Sequence, residues 1–264
     1  DVQIIDNSFW EKFSGDVHLD GHIYNENTRT KGSISNANIT CKGLTTKELS
    51  CKVNLFTNYL LFDSIEGNFY DGNLTGKVVL DTTTFGAYKG HFIVRNSSLR
   101  NIAEACQTEE ARAKGEDVGM SGLLHGEVSF QGNTFDIQTL TGNGRLNLNN
   151  GQIWEFPIFL ALLDIFSLPA NAKPAFRNGE INFSIQDKKF IINAMRFDSS
   201  LISLSGHGNI GFDGSLHCRF LTHFASTIMP KIPLVDTLID SIRQHFLSII
   251  ITGTWSEPKV RLFM

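Results

Sequence analysis

Nowhere in this chain is there a run of lysine or arginine, and its formal net charge is −4. That removes the usual sequence signal of a nucleic-acid-binding protein or a polybasic membrane tether. No stretch reaches the roughly 18 consecutive apolar residues of a membrane-crossing helix, and the opening "DVQIIDNSFW" does not read as a signal peptide. The abrupt start suggests a fragment whose anchor or export signal lies upstream. Catalytic signatures are missing too: the chain has no GxSxG elbow, no HExxH and no P-loop. We therefore expect no enzyme and no cofactor.

Cysteine is scarce. Cys41, Cys51, Cys106 and Cys218 contain no CxxC pair, so a zinc site is unsupported. Cys41 and Cys51 lie on consecutive alternating segments. They read either as a pair bridged across a hairpin or as small buried thiols. His18 and His22 in "HLDGH", with His207, His217 and His223, give no metal-ligand pattern, and Asp20 and Asp213 read as turn residues. "NIT" at 38, "NLT" at 73 and "NSS" at 96 match glycosylation sequons only weakly.

What the chain does have is phenylalanine and glycine, 21 and 23 residues, against six prolines, three tryptophans and four tyrosines. Most of it reads as apolar and polar residues in strict alternation, broken by Gly, Asn and Asp, the pattern of antiparallel strands joined by tight turns. "LSGHGNIGFDGSL" contains Gly206, Gly208 and Gly211 in the spacing GxGxxG. A dinucleotide loop needs a helix after those glycines, whereas Asp213-Gly214 supplies a hairpin turn. "GDVHLDGHI" from Gly15 matches "GNIGFDGSL" position by position, with Asp20-Gly21 at the turn, and "GEVSFQGNTF" and "GRLNLNNGQI" are looser copies. The glycines therefore belong to a repeated strand unit, where they permit bending or close approach. Gly142, Gly144, Gly206 and Gly208 are the positions expected to do so.

Three segments depart from the two-residue period. Helical spacing predicts a one-sided helix over 98–115, capped by Ser97 or Ser98, an almost wholly apolar helix over 157–166 after Pro157, and an amphipathic helix over 233–246. The expected fold is mainly β: a long, strongly curved antiparallel sheet, open as a groove or closed like a barrel, with about three short helices, in one elongated domain over 1–264.

The order of elements in residues 118–264 resembles the AsmA-like C-terminal region of bacterial envelope proteins. It runs "LTGNGRLNLNNGQI", "FPIFLALLDIF", "FSIQDKKFIINAMRF", "SSLISLSGHGNIGFDGSL", an amphipathic helix and "ITGTWSEPKVRLF". The resemblance implies a periplasmic apolar groove that moves phospholipid between inner and outer membranes, attached to the inner membrane by a segment outside this chain. The implied partners are phospholipid and a membrane at one or both ends, with no nucleic acid. Alternation puts Val128, Phe130, Leu146, Leu148, Phe183, Ile185, Ile192, Leu204, Ile210 and Phe212 on the face that would line such a groove. Three other readings stay open: the sealed core of a β-sandwich, an outer-membrane β-barrel, and a β-solenoid that binds or processes carbohydrate.

Overall fold

The structure, a computed structural model, describes residues 12–24, 27–41, 43–83, 86–107, 118–153, 176–200, 202–224, 246–254 and 257–263. Among them are fourteen strands and one helix. The strands are β1 (Lys12–Tyr24), β2 (Asn27–Cys41), β3 (Leu44–Leu55), β4 (Tyr59–Phe69), β5 (Gly72–Asp81), β6 (Ala87–Ser98), β7 (Met120–Asn133), β8 (Asp136–Ile153), β9 (Asn178–Gln186), β10 (Lys189–Asp198), β11 (Ile202–Gly211), β12 (Ser215–Phe224), β13 (Phe246–Thr254) and β14 (Pro258–Phe263). The helix is α1 (Leu99–Cys106). Strand order follows the chain without a crossover.

The chain forms two compact units, Asp1–Glu116 with Leu123–Gly144, and Asp117–Gly122 with Arg145–Met264. The passage between them lies within β7 and β8. No low-complexity linker separates them. Unit 1 holds β1 to β6, most of β7 and the first half of β8; unit 2 holds the rest.

Turn chemistry works where the strands on both sides agree with it. Tyr70-Asp71 and Asp187-Lys188 occupy two-residue loops with both residues at positive φ. The expected turn at Asp213-Gly214 is present. Gly214 has φ 83° and donates to the Gly211 carbonyl, while Asp213 Oδ1 accepts from the Ser215 amide at 3.0 Å. Asp20-Gly21 is not a turn. It lies inside β1 opposite Lys31 and Thr30, and pairing continues to Tyr24 opposite Asn27. Likewise "NNG" at 149–151 stays within β8, and the β7–β8 loop falls at Thr134-Phe135 rather than at Gly132. A long partner strand supplies ladder bonds that a local turn would forfeit, so pairing overrides the dipeptide preference. Asn150 keeps its positive φ of 52° within the strand.

Left-handed residues recur inside strands of unit 1: Asn36, Glu48, Ser64 and Asn96, with φ from 51° to 58°. Register shifts fall between Ser14 and Asp16, Ile34 and Ala37, Lys47 and Ser50, Phe62 and Ile65, and Val94 and Ser97. The partners Asp16–Ser35, Ala37–Leu49, Ser50–Glu66 and Ile65–Gly76 place the shifts of β1 to β4 side by side in a band across the strands. Each bulge bends its own strand, so aligned bulges act together as a crease. The buried cluster of unit 1, Ala37, Leu49, Cys51, Val53 and Ile65, lies along that band.

One expectation is corrected, and the two readings of Cys41 and Cys51 are resolved. Where a helix was predicted over 98–115, α1 stops at Cys106, because Gln107 is already extended (φ −64°, ψ 149°). Its start is as expected: Ser98 Oγ accepts from the Asn101 amide at 3.3 Å. The helices expected over 157–166 and 233–246 lie outside the described residues, so the described chain has one helix in place of about three. Cys41 pairs with Leu44 and Cys51 with Ile34, because the hairpin turns at Lys42-Gly43. About seven residues of strand, or roughly 23 Å, then separate the two cysteines along the ladder, too far for a disulfide. Cys51 is a free, buried thiol.

Candidate apolar binding surface

Strand register sorts side chains in each unit into an apolar and a polar face. In unit 1, Leu55, Leu60, Leu80 and Tyr88 form one cross-strand row, and Val53, Phe62, Val78, Gly90 and Phe130 the next. In unit 2, Phe183, Ile192, Gly208, Cys218, Ile251 and Val260 form one row, with Ile185, Phe190, Ile210 and Leu216 beside it. Lys52, Asp63, Lys77 and His91 of unit 1, and Ser205, His207 and Arg219 of unit 2, lie on the opposite faces.

A second regularity runs through both units. Glycines face aromatic residues directly across the ladder: Gly76 with Phe92, Gly90 with Phe130, Gly132 with Tyr88, Gly179 with Phe197, and Gly206 with Phe220. The rings occupy the space a side chain would need. A Cβ on Gly76 would fall 2.2 Å from the Phe92 ring, and one on Gly90 2.3 Å from Phe130. At Gly142, Gly206 and Gly208 the nearest atoms would be backbone carbonyl oxygens at 2.5, 2.4 and 2.3 Å, the close approach their sequence context suggested. An aromatic lying over glycine restores the apolar contact that glycine lacks and keeps the surface low.

The rings also touch one another. Tyr88, Phe130 and Phe92 form a chain in unit 1 with centroid separations of 6.0 and 5.9 Å, and Phe183, Phe190 and Phe212 one in unit 2 at 5.8 and 5.2 Å. Burial raises the phenol pKa of Tyr88 and the thiol pKa of Cys51 and Cys218, so all three groups stay neutral at physiological pH. These surfaces therefore offer contact area without charge.

The sequence-derived lining residues divide by burial. Leu148, Phe183, Ile185, Ile192 and Leu204 are buried, Leu204 to 1% exposure. Val128, Phe130, Leu146 and Ile210 are half-buried, and Phe212 is 39% exposed. Val128 and Phe130 belong to unit 1 and the others to unit 2. Phe190, 37% exposed and between the rings of Phe183 and Phe212, belongs with them; its place on the face follows only from the β9–β10 and β10–β11 registers.

The polar face of unit 1 holds two features that sequence inspection misses, because distant segments build them. His91 Nδ1 lies 2.9 Å from Ser129 Oγ and its Nε2 3.6 Å from Glu127, an open row with the histidine side chain 41% exposed. A depression of about 440 Å³ is lined by Glu48, Ser50, Glu66, Asn68, Asn73 and Arg95 among others, a hydrophilic set unsuited to an acyl chain. Among the described residues no three His, Cys, Asp or Glu gather as a metal-binding group. His18 and His22 lie within β1, opposite Ser33 and Arg29, and do not flank a turn.

No family model, no curated protein and no solved structure matches the chain.

Proposed function

We propose that this chain is a non-enzymatic lipid-binding domain whose apolar sheet faces carry phospholipid acyl chains, in the manner of the AsmA-like envelope proteins that its C-terminal part resembles. The observation that carries this reading is the apolar face of unit 1, where the partly buried Phe62, Leu74, Val78 and Phe92 surround the buried cluster. The described elements contact their neighbours in the ladder, with α1 against β3 and β6. A contiguous apolar face that is only partly buried is the kind of surface at which interaction sites are found.

The energetics suit the role. Each CH₂ brought into water costs about 0.8 kcal/mol, so a sixteen-carbon tail crossing an aqueous gap faces a barrier of roughly 12 kcal/mol. A bent sheet lined with flat rings removes most of it, and the crease in unit 1 supports a curved groove. β1 pairs with β2 alone and β14 with β13 alone among the described residues, which favours an open sheet over a closed outer-membrane barrel. Aromatic platforms of Trp and Tyr, which a carbohydrate binder would present, are few. Periplasmic location, an inner-membrane tether and transfer toward the outer membrane belong to the same proposal.

Native mass spectrometry of the purified chain should find co-purified phospholipid. Phe92→Asp and Phe212→Asp should each reduce acyl-chain photo-cross-linking several-fold while far-UV circular dichroism keeps most of its β signal. Wholesale unfolding by both variants would identify these faces as sealed core, and carbohydrate bound in place of lipid would reverse the reading.

A further inference from the structure

The polar face of unit 2 collects basic side chains that the sequence scatters. His207 of β11 pairs with Arg219 of β12, whose row continues through Ile250 of β13 to Arg261 of β14. The next row on the same face runs Asn209, His217, Thr252 and Lys259, and His223 stands opposite Ser203. His207, His217, Arg219, His223, Lys259 and Arg261 are all exposed. Across β11 to β14 the described residues place no carboxylate on this face. Of the acids on neighbouring strands, Asp198 pairs with Arg196 at 2.9 Å and hydrogen-bonds Ser203 at the margin of the patch, and Glu180 pairs with Arg145 at 2.8 Å. Asp213 and Glu257 sit in the turns at the ends of these strands.

We infer that this face is a docking surface for an anionic phospholipid bilayer. Charge complementarity identifies the partner: Arg219 and Arg261 stand about 10 Å apart, two strand spacings, on a broad face where several lipid phosphates can be met at once. The apolar content agrees. Leu221, 42% exposed, and the half-buried Ile250 lie among the cations, a mixture suited to the boundary between headgroups and acyl chains. Nucleic acid is the poorer fit, since apolar Leu221 and Ile250 stand in the middle of the patch, where a phosphate backbone would gain nothing from them. The inference stands apart from acyl-chain carriage, which uses the opposite face.

The test is co-sedimentation of the intact chain with vesicles of phosphatidylcholine alone or mixed with phosphatidylglycerol. Binding should require the anionic lipid, weaken about tenfold or more in Arg219→Glu with Arg261→Glu, and survive Lys31→Glu with Lys89→Glu, an equal charge change on unit 1. The wild-type chain should also be released by about 0.5 M salt. Co-purified acyl chains, read separately by native mass spectrometry, should be unchanged in the double arginine variant. Equal binding to phosphatidylcholine alone, retention by the folded arginine variant, the same loss from the lysine variant, or release from vesicles by single-stranded DNA would each overturn the inference. Should the arginine variant not fold, salt-insensitive binding of the wild type would overturn it alone.

Discussion

Unit 1 and unit 2 share one alternating pattern and one set of glycine–aromatic pairs, yet they bury their apolar faces differently. In unit 1 the buried cluster follows the band of bulges, and the flanking rings of Phe62 and Phe92 are only partly buried. In unit 2 the centre of the face is closed: Leu204, Cys218, Phe220, Thr222, Ile249 and Ile251 are at most 2% exposed, and the rings open only at Phe190 and Phe212. Alternation therefore reports which side of a sheet is apolar. It does not report what lies over that side.

Truncating Leu204 to Ala should have the largest effect, about 2–5 kcal/mol in chemical denaturation, because a site at 1% exposure can refill its cavity only partly. Val78→Ala, on the partly buried face of unit 1, should cost less than half as much. Equal costs would break the contrast between the units.

Glycine replacement should sharpen it. In Gly206→Ala the new methyl meets the Arg219 carbonyl oxygen, backbone that cannot swing aside, whereas in Gly90→Ala the nearest atoms are those of the Phe130 ring. We expect about 1–3 kcal/mol at Gly206 and a smaller loss at Gly90, where a proton-NMR shift of the displaced ring should accompany it.

Ser98→Ala should remove about 1 kcal/mol from unit 1 alone by leaving the α1 amide unsatisfied, visible as faster hydrogen exchange confined to Leu99–Cys106. Asp213→Asn, in unit 2, should be the mildest. Hydrogen bonds from Ser215 hold the Asp213 carboxyl below its usual pKa, so its contribution is complete above pH about 4 and lost as the pH falls through the folded value. The wild type should show that small acid limb in denaturation midpoints and the Asn variant should lack it.

The faces were legible because Phe183 with Ile185, or Ile210 with Phe212, keep one parity that only a two-residue period explains. The Asp213-Gly214 turn was legible because its strands end there. Asp20-Gly21 misled because it matches Asp213-Gly214 position by position: what differs is the partner, since β2 supplies ladder partners to β1 without a break from Asp16 to Tyr24. The bulges left a faint trace, since Phe62 and Ile65 share a face three residues apart where an unbroken strand would put them on opposite sides. Burial left none, because Leu204 and Phe92 look alike in a string of alternating letters. The basic patch was equally hidden, being assembled from strands up to 54 positions apart, His207 to Arg261.

Strand order in this ladder follows the sequence, and the described strands make their main contacts with their ladder neighbours, α1 adding contacts to β3 and β6. Stability in such an arrangement accumulates hairpin by hairpin, as it does in repeat proteins. Duplicating one hairpin would add about 10 Å to the ladder. The number of strands could thus change by gene duplication, with the existing hairpins kept as they are.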